Sequence, residues 1–385
     1  MALIELPKTA SRGKGRAHRV FHPLSGADLG TLLEVWKQGG MPSWHRAHVP
    51  WVALASVLGR LPFTLVEGAA RKLLLHPDDL PAPIFVIGYW RSGTTHFSNV
   101  LSRWQGVGML PPISVGMPHE ALGLARLVAP FIEQFYPKTR LIDAVPLGPE
   151  LPQEDELAIA NMSPLSFYHG VYFARRAGEW IDRGLFFDGA TTDEVESWKR
   201  ALHTYLSAMT IQQGRRPVLV RNPAHSARIP LLRALWPNAK FIHLYRDPFI
   251  VQASASRMFR TLFRELALQD SAVDTDELVL RTYPRMLETL LRDAEDLPAA
   301  SYCEVRFESF ERDPIGELRR IFGKLELSGI EGATSAATAY LETVKSYRKA
   351  EHRFDARIVR RIERTWQPVL RRWGYRPPPE PLLQH

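Results

Sequence analysis

Eight residues, Gly88-Tyr89-Trp90-Arg91-Ser92-Gly93-Thr94-Thr95, constrain this chain more tightly than any other segment. They follow a short apolar run at 84–87 with the length and composition of a buried strand, and lead into a helix-like stretch over 94–104. The two glycines have the G-x-x-x-x-G spacing of a phosphate loop, in which successive backbone N–H groups and a helix N-terminus face an anion. The bland alternative is a strand-to-helix turn that happens to contain glycine. A triphosphatase needs Lys directly after the second glycine, to reach the β- and γ-phosphates. Here Thr94 holds that position and the cation, Arg91, lies inside the loop. With no apolar run ending in an obvious magnesium-holding Asp, the loop predicts phosphate binding without triphosphate hydrolysis.

Three further strand signals follow, at 217–220, 240–245 and 302–307, each leading into a helical pattern. Strands alternating with helices predict an α/β fold: a P-loop-like, doubly wound parallel sheet flanked by helices. Residues 1–80 read as a helical N-terminal segment packed on the core, and 81–376 as the main domain. Within that domain 106–215 form a largely helical cap insert and 345–376 a basic C-terminal segment, leaving 377–385 as a tail. The spacing of Ile358, Ile362, Trp366, Val369, Leu370 and Trp373 predicts one amphipathic, docking helix.

Two more arginines stand at strand ends, in Val220-Arg221-Asn222-Pro223-Ala224-His225 and in Tyr245-Arg246-Asp247-Pro248. Ligands of open parallel sheets sit beyond the carboxyl ends of the strands, and a guanidinium offers a planar fork of donors to phosphate or sulfate oxygens. Arg91, Arg221 and Arg246 therefore read as one anion site. Global charge is a poorer guide. The 385 residues carry 49 basic and 41 acidic side chains, a net of +8, but residues 1–72 hold +6 and 345–376 hold +8. The stretch 73–344, with all three arginine-bearing strand ends, is net −5. A few aimed arginines in an acidic core suit one nucleotide rather than a nucleic-acid polymer, and no RNA-recognition signature is present.

The single cysteine, Cys303, excludes an internal disulfide framework and a multi-cysteine metal site, so the reading is a reducing cytoplasm and no metal. No uninterrupted apolar run reaches the ~20 residues that span a bilayer. The nearest, 49–70, is broken by Arg60, Pro62 and Glu67, which leaves peripheral membrane contact through the N-terminal apolar segments as the remaining membrane option.

The ordered motifs resemble a known family. The loop at 88–95 is similar to the 5′-phosphosulfate loop of sulfotransferases that use 3′-phosphoadenosine-5′-phosphosulfate, and Arg246 with Ser254 resembles that family's 3′-phosphate motif. Asn-Pro-x-His at 222–225, Leu151-Pro152-Gln153-Glu154-Asp155-Glu156, Val305-Arg306-Phe307-Glu308 and Ser346-Tyr347-Arg348-Lys349 are similar to the bacterial branch of the superfamily. The resemblance spans roughly residues 83–376, in matching order.

The resemblance implies that Arg91, Ser92, Gly93, Thr94 and Thr95 hold the 5′-phosphosulfate. Arg246 and Ser254 would hold the 3′-phosphate, with Arg348 or Lys349 closing over it, and 3′,5′-adenosine bisphosphate would be the product. Arg221 stands where the family usually has a lysine, keeping the charge but excluding a lysine-specific acid role. The glutamate that many relatives place 21–23 residues beyond the loop's basic residue is absent, since Pro112, Ile113 and Ser114 occupy those positions. Three substitutes for the base stay open: His119 in a Pro-His pair found in one branch, Glu154 with its neighbour Asp155, and His225. Each has a structural alternative, as a charged helix start or a core histidine. The aromatic-rich insert implies a small or lipid-like acceptor with a hydroxyl, less readily an amine; a kinase-like phosphoryl transferase is the alternative.

Overall fold

The computed structural model describes residues 22–74, 80–135, 139, 142, 148–344 and 353–384. At its centre are four parallel strands, β1 (Ile84–Ile87), β2 (Leu219–Arg221), β3 (Lys240–Tyr245) and β4 (Tyr302–Arg306), in the spatial order β2-β1-β3-β4. Ile84 pairs with both Leu219 and Lys240, and the register carries Val86 beside Arg221 and Ile87 beside His243. The expected doubly wound sheet is thus present.

Both faces of the sheet are covered, as parallel strands require. Side chains alternate with period two: Ile84 and Val86 join Phe97, Leu101, Leu318 and Phe322 in one buried cluster. Phe85 and Ile87 join Trp198, Leu202, Met209 and Leu232 in another on the opposite face. The helices that supply these residues are Thr94–Leu101 and Pro314–Leu325 on the first face, and Thr192–Gln212 and Ile229–Leu235 on the second. Thr192–Gln212 starts at a capping box, with Thr191 and Glu194 satisfying each other's backbone amides.

Between β1 and β2 the described residues fold into short helices, including Pro112–Gly116, Leu124–Ile132, Glu156–Ala160, Phe167–Tyr172 and Ala177–Phe186. The N-terminal helices Leu29–Gly39 and His48–Leu74 contribute Leu32, Val35, Val49, Ala53 and Val57 to the buried cluster that also holds Tyr89, Trp90 and Tyr172.

Two local expectations need correction. Pro62, expected to interrupt the apolar run at 49–70, does not break its helix, and with Pro50 it lies inside His48–Leu74, one helix of 27 residues. Pro50 lies in the first turn, where an amide is unpaired anyway, and Pro62 is carried because tertiary anchoring outweighs one lost hydrogen bond. At the other end of the chain the single helix expected over 358–373 is two, Ala356–Thr365 and Gln367–Trp373. Pro368 starts the second and Trp366 marks the break, its ring fully buried and its Nε1 donating to Leu280 O at 3.2 Å.

Candidate active site

The loop between β1 and the helix Thr94–Leu101 has left-handed backbone at Gly88 (φ 133°), Arg91 (φ 71°) and Gly93 (φ 97°). A Cβ on Gly88 would stand 2.1 Å from Leu244 O, and one on Gly93 would stand 2.0 Å from the Phe307 ring. Glycine is therefore required at both positions, by conformation and by space. Arg91 takes the strained region without that excuse, which is the kind of cost kept at a binding site. The loop is held from outside by Ser226, whose hydroxyl accepts the Gly88 N–H at 2.8 Å. Ser92 and Thr94 are buried, and Ser92 Oγ has no hydrogen-bond partner among the described residues.

Because β1 lies between β2 and β3, the loop is flanked by the strand ends that carry Arg221 and Arg246. Chain order reverses there, β2 lying to one side of β1 and β3 to the other, which is where such sheets bind ligands. Arg91 Nε donates to Ser254 Oγ at 2.9 Å, and Arg246 Nη1 approaches Arg91 O at 3.5 Å. Ser254 reaches the loop from the helix Pro248–Leu266, whose N-terminus is capped by Asp247 accepting the Phe249 N–H at 2.9 Å. The Arg246 guanidinium lies over the Phe307 ring, 4.6 Å from its centroid, and its Nε is buried without a hydrogen-bond partner among the described residues. Burial lowers the pKa of Arg246 from its ordinary value, with Glu308 and Glu311 opposing, and burial raises that of the Asp247 carboxyl. A desolvated arginine remains cationic and favours an anion beside it.

On the β2 side, three consecutive carboxylates meet three residues of one short segment. Glu154 Oε1 is 3.7 Å from Arg221 Nε, Asp155 Oδ2 is 2.8 Å from His225 Nε2, and Glu156 Oε2 is 2.9 Å from Arg228 Nη1. Glu156 also accepts from Asn222 Nδ2 at 2.9 Å and Ser166 Oγ at 2.8 Å. Burial alone would raise its pKa, but Arg228 and Asn222 outweigh burial and hold it below the ordinary carboxylate value. His225 is fully buried, edge-on to Phe85, and both its ring nitrogens are engaged, since Arg228 Nη1 lies 3.5 Å from Nδ1. Glu154 differs in keeping 17% of its side chain exposed.

His119 stands elsewhere. Its Nε2 donates to Asn161 O at 3.0 Å and lies 3.3 Å from the Asp28 carboxylate. With Thr64, Gly68, Arg71, Met162 and His203 it lines a cavity of about 410 Å³. Arg348 and Lys349 lie outside the described residues.

The structure thus gathers Arg91, Ser254 and Arg246 at one loop and puts Glu154 against Arg221. Three contributors were missed from sequence: Ser226, Phe307 and Arg228. Phe307 stood in a quoted motif, but nothing in a linear sequence shows that one ring supports both Gly93 and Arg246. The orphaned Ser92 hydroxyl, the orphaned Arg246 Nε and the glycine-walled loop fit a phosphate- or sulfate-bearing nucleotide.

Fold and loop define an α/β protein of the P-loop-like class, with Arg91, Ser254 and Arg246 gathered at the β1–β3 crevice. A family model described as the sulfotransferase family matches residues 83–331. The omega-hydroxy-beta-dihydromenaquinone-9 sulfotransferases Stf3 of Mycobacterium bovis and Mycobacterium tuberculosis are each 31% identical over 304 residues, covering 78% of this chain and 77% of theirs. Crystal structures of related fold include sulfotransferase STF9 from Mycobacterium avium, with TM-score 0.61, 16% identity, and coverage of 90% of this chain and 96% of that one. Sulfotransferase STF1 from Mycobacterium tuberculosis matches with TM-score 0.56, 19% identity, and coverage of 81% and 85%. The chain belongs to the sulfotransferase family and is a sulfotransferase enzyme.

Proposed function

We propose that this enzyme moves a sulfuryl group from 3′-phosphoadenosine-5′-phosphosulfate to a hydroxyl of a lipid-like acceptor, in the reducing cytoplasm. The observation that carries the donor assignment is the cluster of Arg91, Ser254 and Arg246 at the glycine-walled loop. The acceptor class follows from the Stf3 relatives, whose name specifies an omega-hydroxylated menaquinone derivative.

In sulfuryl transfer an acceptor oxygen bonds to sulfur as the bond from sulfur to the bridging phosphate oxygen breaks. The acceptor proton goes to a base, and negative charge builds on the leaving phosphate. Arg91, the backbone N–H groups of Ser92 to Thr95 and the Thr94 and Thr95 hydroxyls hold the 5′ end and stabilise that charge. Arg246 and Ser254 hold the 3′-phosphate, joined by Arg348 or Lys349. Arg221 orients the sulfonyl oxygens as a permanent cation. Of the candidate bases, Glu154 lies against one of these arginines, 3.7 Å from Arg221, and we assign it the acceptor proton. His225 and its partner Asp155 brace the β2 end, and His119 belongs to the neighbouring cavity.

The position after Gly93 is Thr94 rather than Lys, which does not favour the phosphoryl-transfer alternative. The test is transfer of label from donor carrying radioactive sulfur to an omega-hydroxylated isoprenoid quinone. Labelled product lost in Arg91→Ala supports the reading. Labelling from γ-labelled ATP with none from the phosphosulfate donor contradicts it.

A further inference from the structure

The helix His48–Leu74 is built inside out. Trp51, Leu58 and Leu65 recur every seven residues along one line and Val66 and Leu73 along the next; these five side chains are 72%, 49%, 65%, 72% and 76% exposed. Two charged residues of the same helix point the other way: Arg60 and Glu67 each lie two positions beyond an exposed leucine, about 200° round the axis.

Those charges are anchored in protein. Arg60 Nη1 pairs with the fully buried Glu120 at 2.6 Å and its Nη2 donates to Ser25 O at 2.8 Å and Ala27 O at 2.7 Å. Glu67 pairs with Arg71 at 2.7 Å and accepts the Leu122 and Gly123 amides at 2.7 and 2.8 Å. The helix Leu124–Ile132 starts directly after that anchor and exposes Leu127 and Phe131, 70% and 68%.

We propose that this face seats the enzyme on an anionic lipid bilayer, with the helix lying in the plane of the headgroups. By length and composition an 18-residue window within Trp44–Leu73 is apolar enough to cross a membrane, with mean hydropathy 1.5, yet only 22% of that window is buried in the protein. Crossing would strip Arg60, Glu67 and Arg71 of their partners, so the apolar face enters the interface while the polar face stays on the fold. Charge points to an anionic surface. Within 41–73 and 121–132 the sole carboxylates are Glu67, which is buried in its ion pair, and none in the second segment. Lys72 and Arg126 are exposed there. A second copy of the chain would bring the same cations to a two-fold interface with no exposed carboxylate of these segments to meet them.

The proposal does not depend on which acceptor is sulfated. The test is co-sedimentation of the full chain with phosphatidylcholine vesicles, with and without phosphatidylglycerol, alongside sedimentation equilibrium without lipid. Wild-type protein should pellet with the phosphatidylglycerol vesicles as a monomer in solution. Leu58→Glu with Leu65→Glu should weaken that binding at least about tenfold, while 3′,5′-adenosine bisphosphate binding, as the folding control, stays unchanged. Lys72→Glu with Arg126→Glu should remove the preference for phosphatidylglycerol. Wild-type protein that stays in the supernatant with both vesicle types overturns the proposal. So does equal vesicle binding by the leucine variant, or a lipid-free dimer that the leucine variant dissociates.

Discussion

Arg91 and Ser254 lie 163 residues apart in sequence and meet at 2.9 Å, guanidinium Nε to hydroxyl, across the crevice between β1 and β3. The bond joins the residue expected at the 5′ end of the donor to one expected at its 3′ end. It also fixes the Arg91 side chain before any ligand arrives, so little rotamer freedom is left to lose on binding.

Removing the donors to the nucleotide should cost affinity in graded steps. Charge-assisted hydrogen bonds contribute about 1.5–3 kcal/mol each, so Arg91→Ala and Arg246→Ala should each weaken 3′,5′-adenosine bisphosphate about 10–150-fold. Ser254→Ala removes a neutral hydroxyl and should cost about tenfold or less. Titration calorimetry of the three variants checks the ranking.

Gly93→Ala should abolish nucleotide binding and lower Tm, because its Cβ falls 2.0 Å from the Phe307 ring at φ 97°. Adding Phe307→Ala relieves the clash and leaves the conformational cost, so Tm should recover in part. Because Phe307 also supports Arg246, affinity should not return.

The carboxylates at 154–156 should separate by what they do. Glu156→Gln leaves Arg228 buried beside a neutral partner and should destabilise the fold by about 3–5 kcal/mol in urea unfolding. Glu154→Gln, where the pair is longer at 3.7 Å and Glu154 keeps 17% of its side chain exposed, should lower Tm less than Glu156→Gln and remove the acidic limb of the kcat/KM pH profile. An acidic limb that survives in Glu154→Gln and vanishes in His119→Asn moves the base to His119.

Stability should fall on mild acidification. Burial lowers the pKa of His22, His169 and His243 from the ordinary 6.5 to about 4. Below pH 6.5 the unfolded chain takes up protons that the folded chain refuses until about pH 4. Unfolding free energy is therefore retained above pH 6.5 and lost as pH falls toward 4, by up to ~1.4 kcal/mol per pH unit for each histidine. Urea melts across that window measure the slope, and His243→Phe should reduce it.

How far the sequence could be read varies with the range of the interactions. β1 and β3 were legible to the residue and the start of the helix Pro248–Leu266 from its Asp-Pro pair, since each has its own composition and punctuation: an apolar run ended by glycine, or Asp-Pro starting a helix. That Arg91, Arg221 and Arg246 stand at neighbouring strand ends was legible because strand ends of a parallel sheet converge by topology. The pairings of Glu154, Asp155 and Glu156 with Arg221, His225 and Arg228 were not, because they depend on how a segment 67–72 residues away is laid against β2. The helix His48–Leu74 misled for a related reason. Pro62, Arg60 and Glu67 read as interruptions, and only the partners Glu120, Ser25 and Leu122 show the two charged residues to be anchors.

The central claim is that the loop and its arginines form a phosphoadenosine site. Titration calorimetry of the full chain with 3′,5′-adenosine bisphosphate tests it most directly. The account predicts saturable binding of one nucleotide per chain, competed by the phosphosulfate donor and lost in Arg91→Ala with Arg246→Ala. Absence of binding to the folded wild-type protein, or unchanged binding in the double variant, would contradict it.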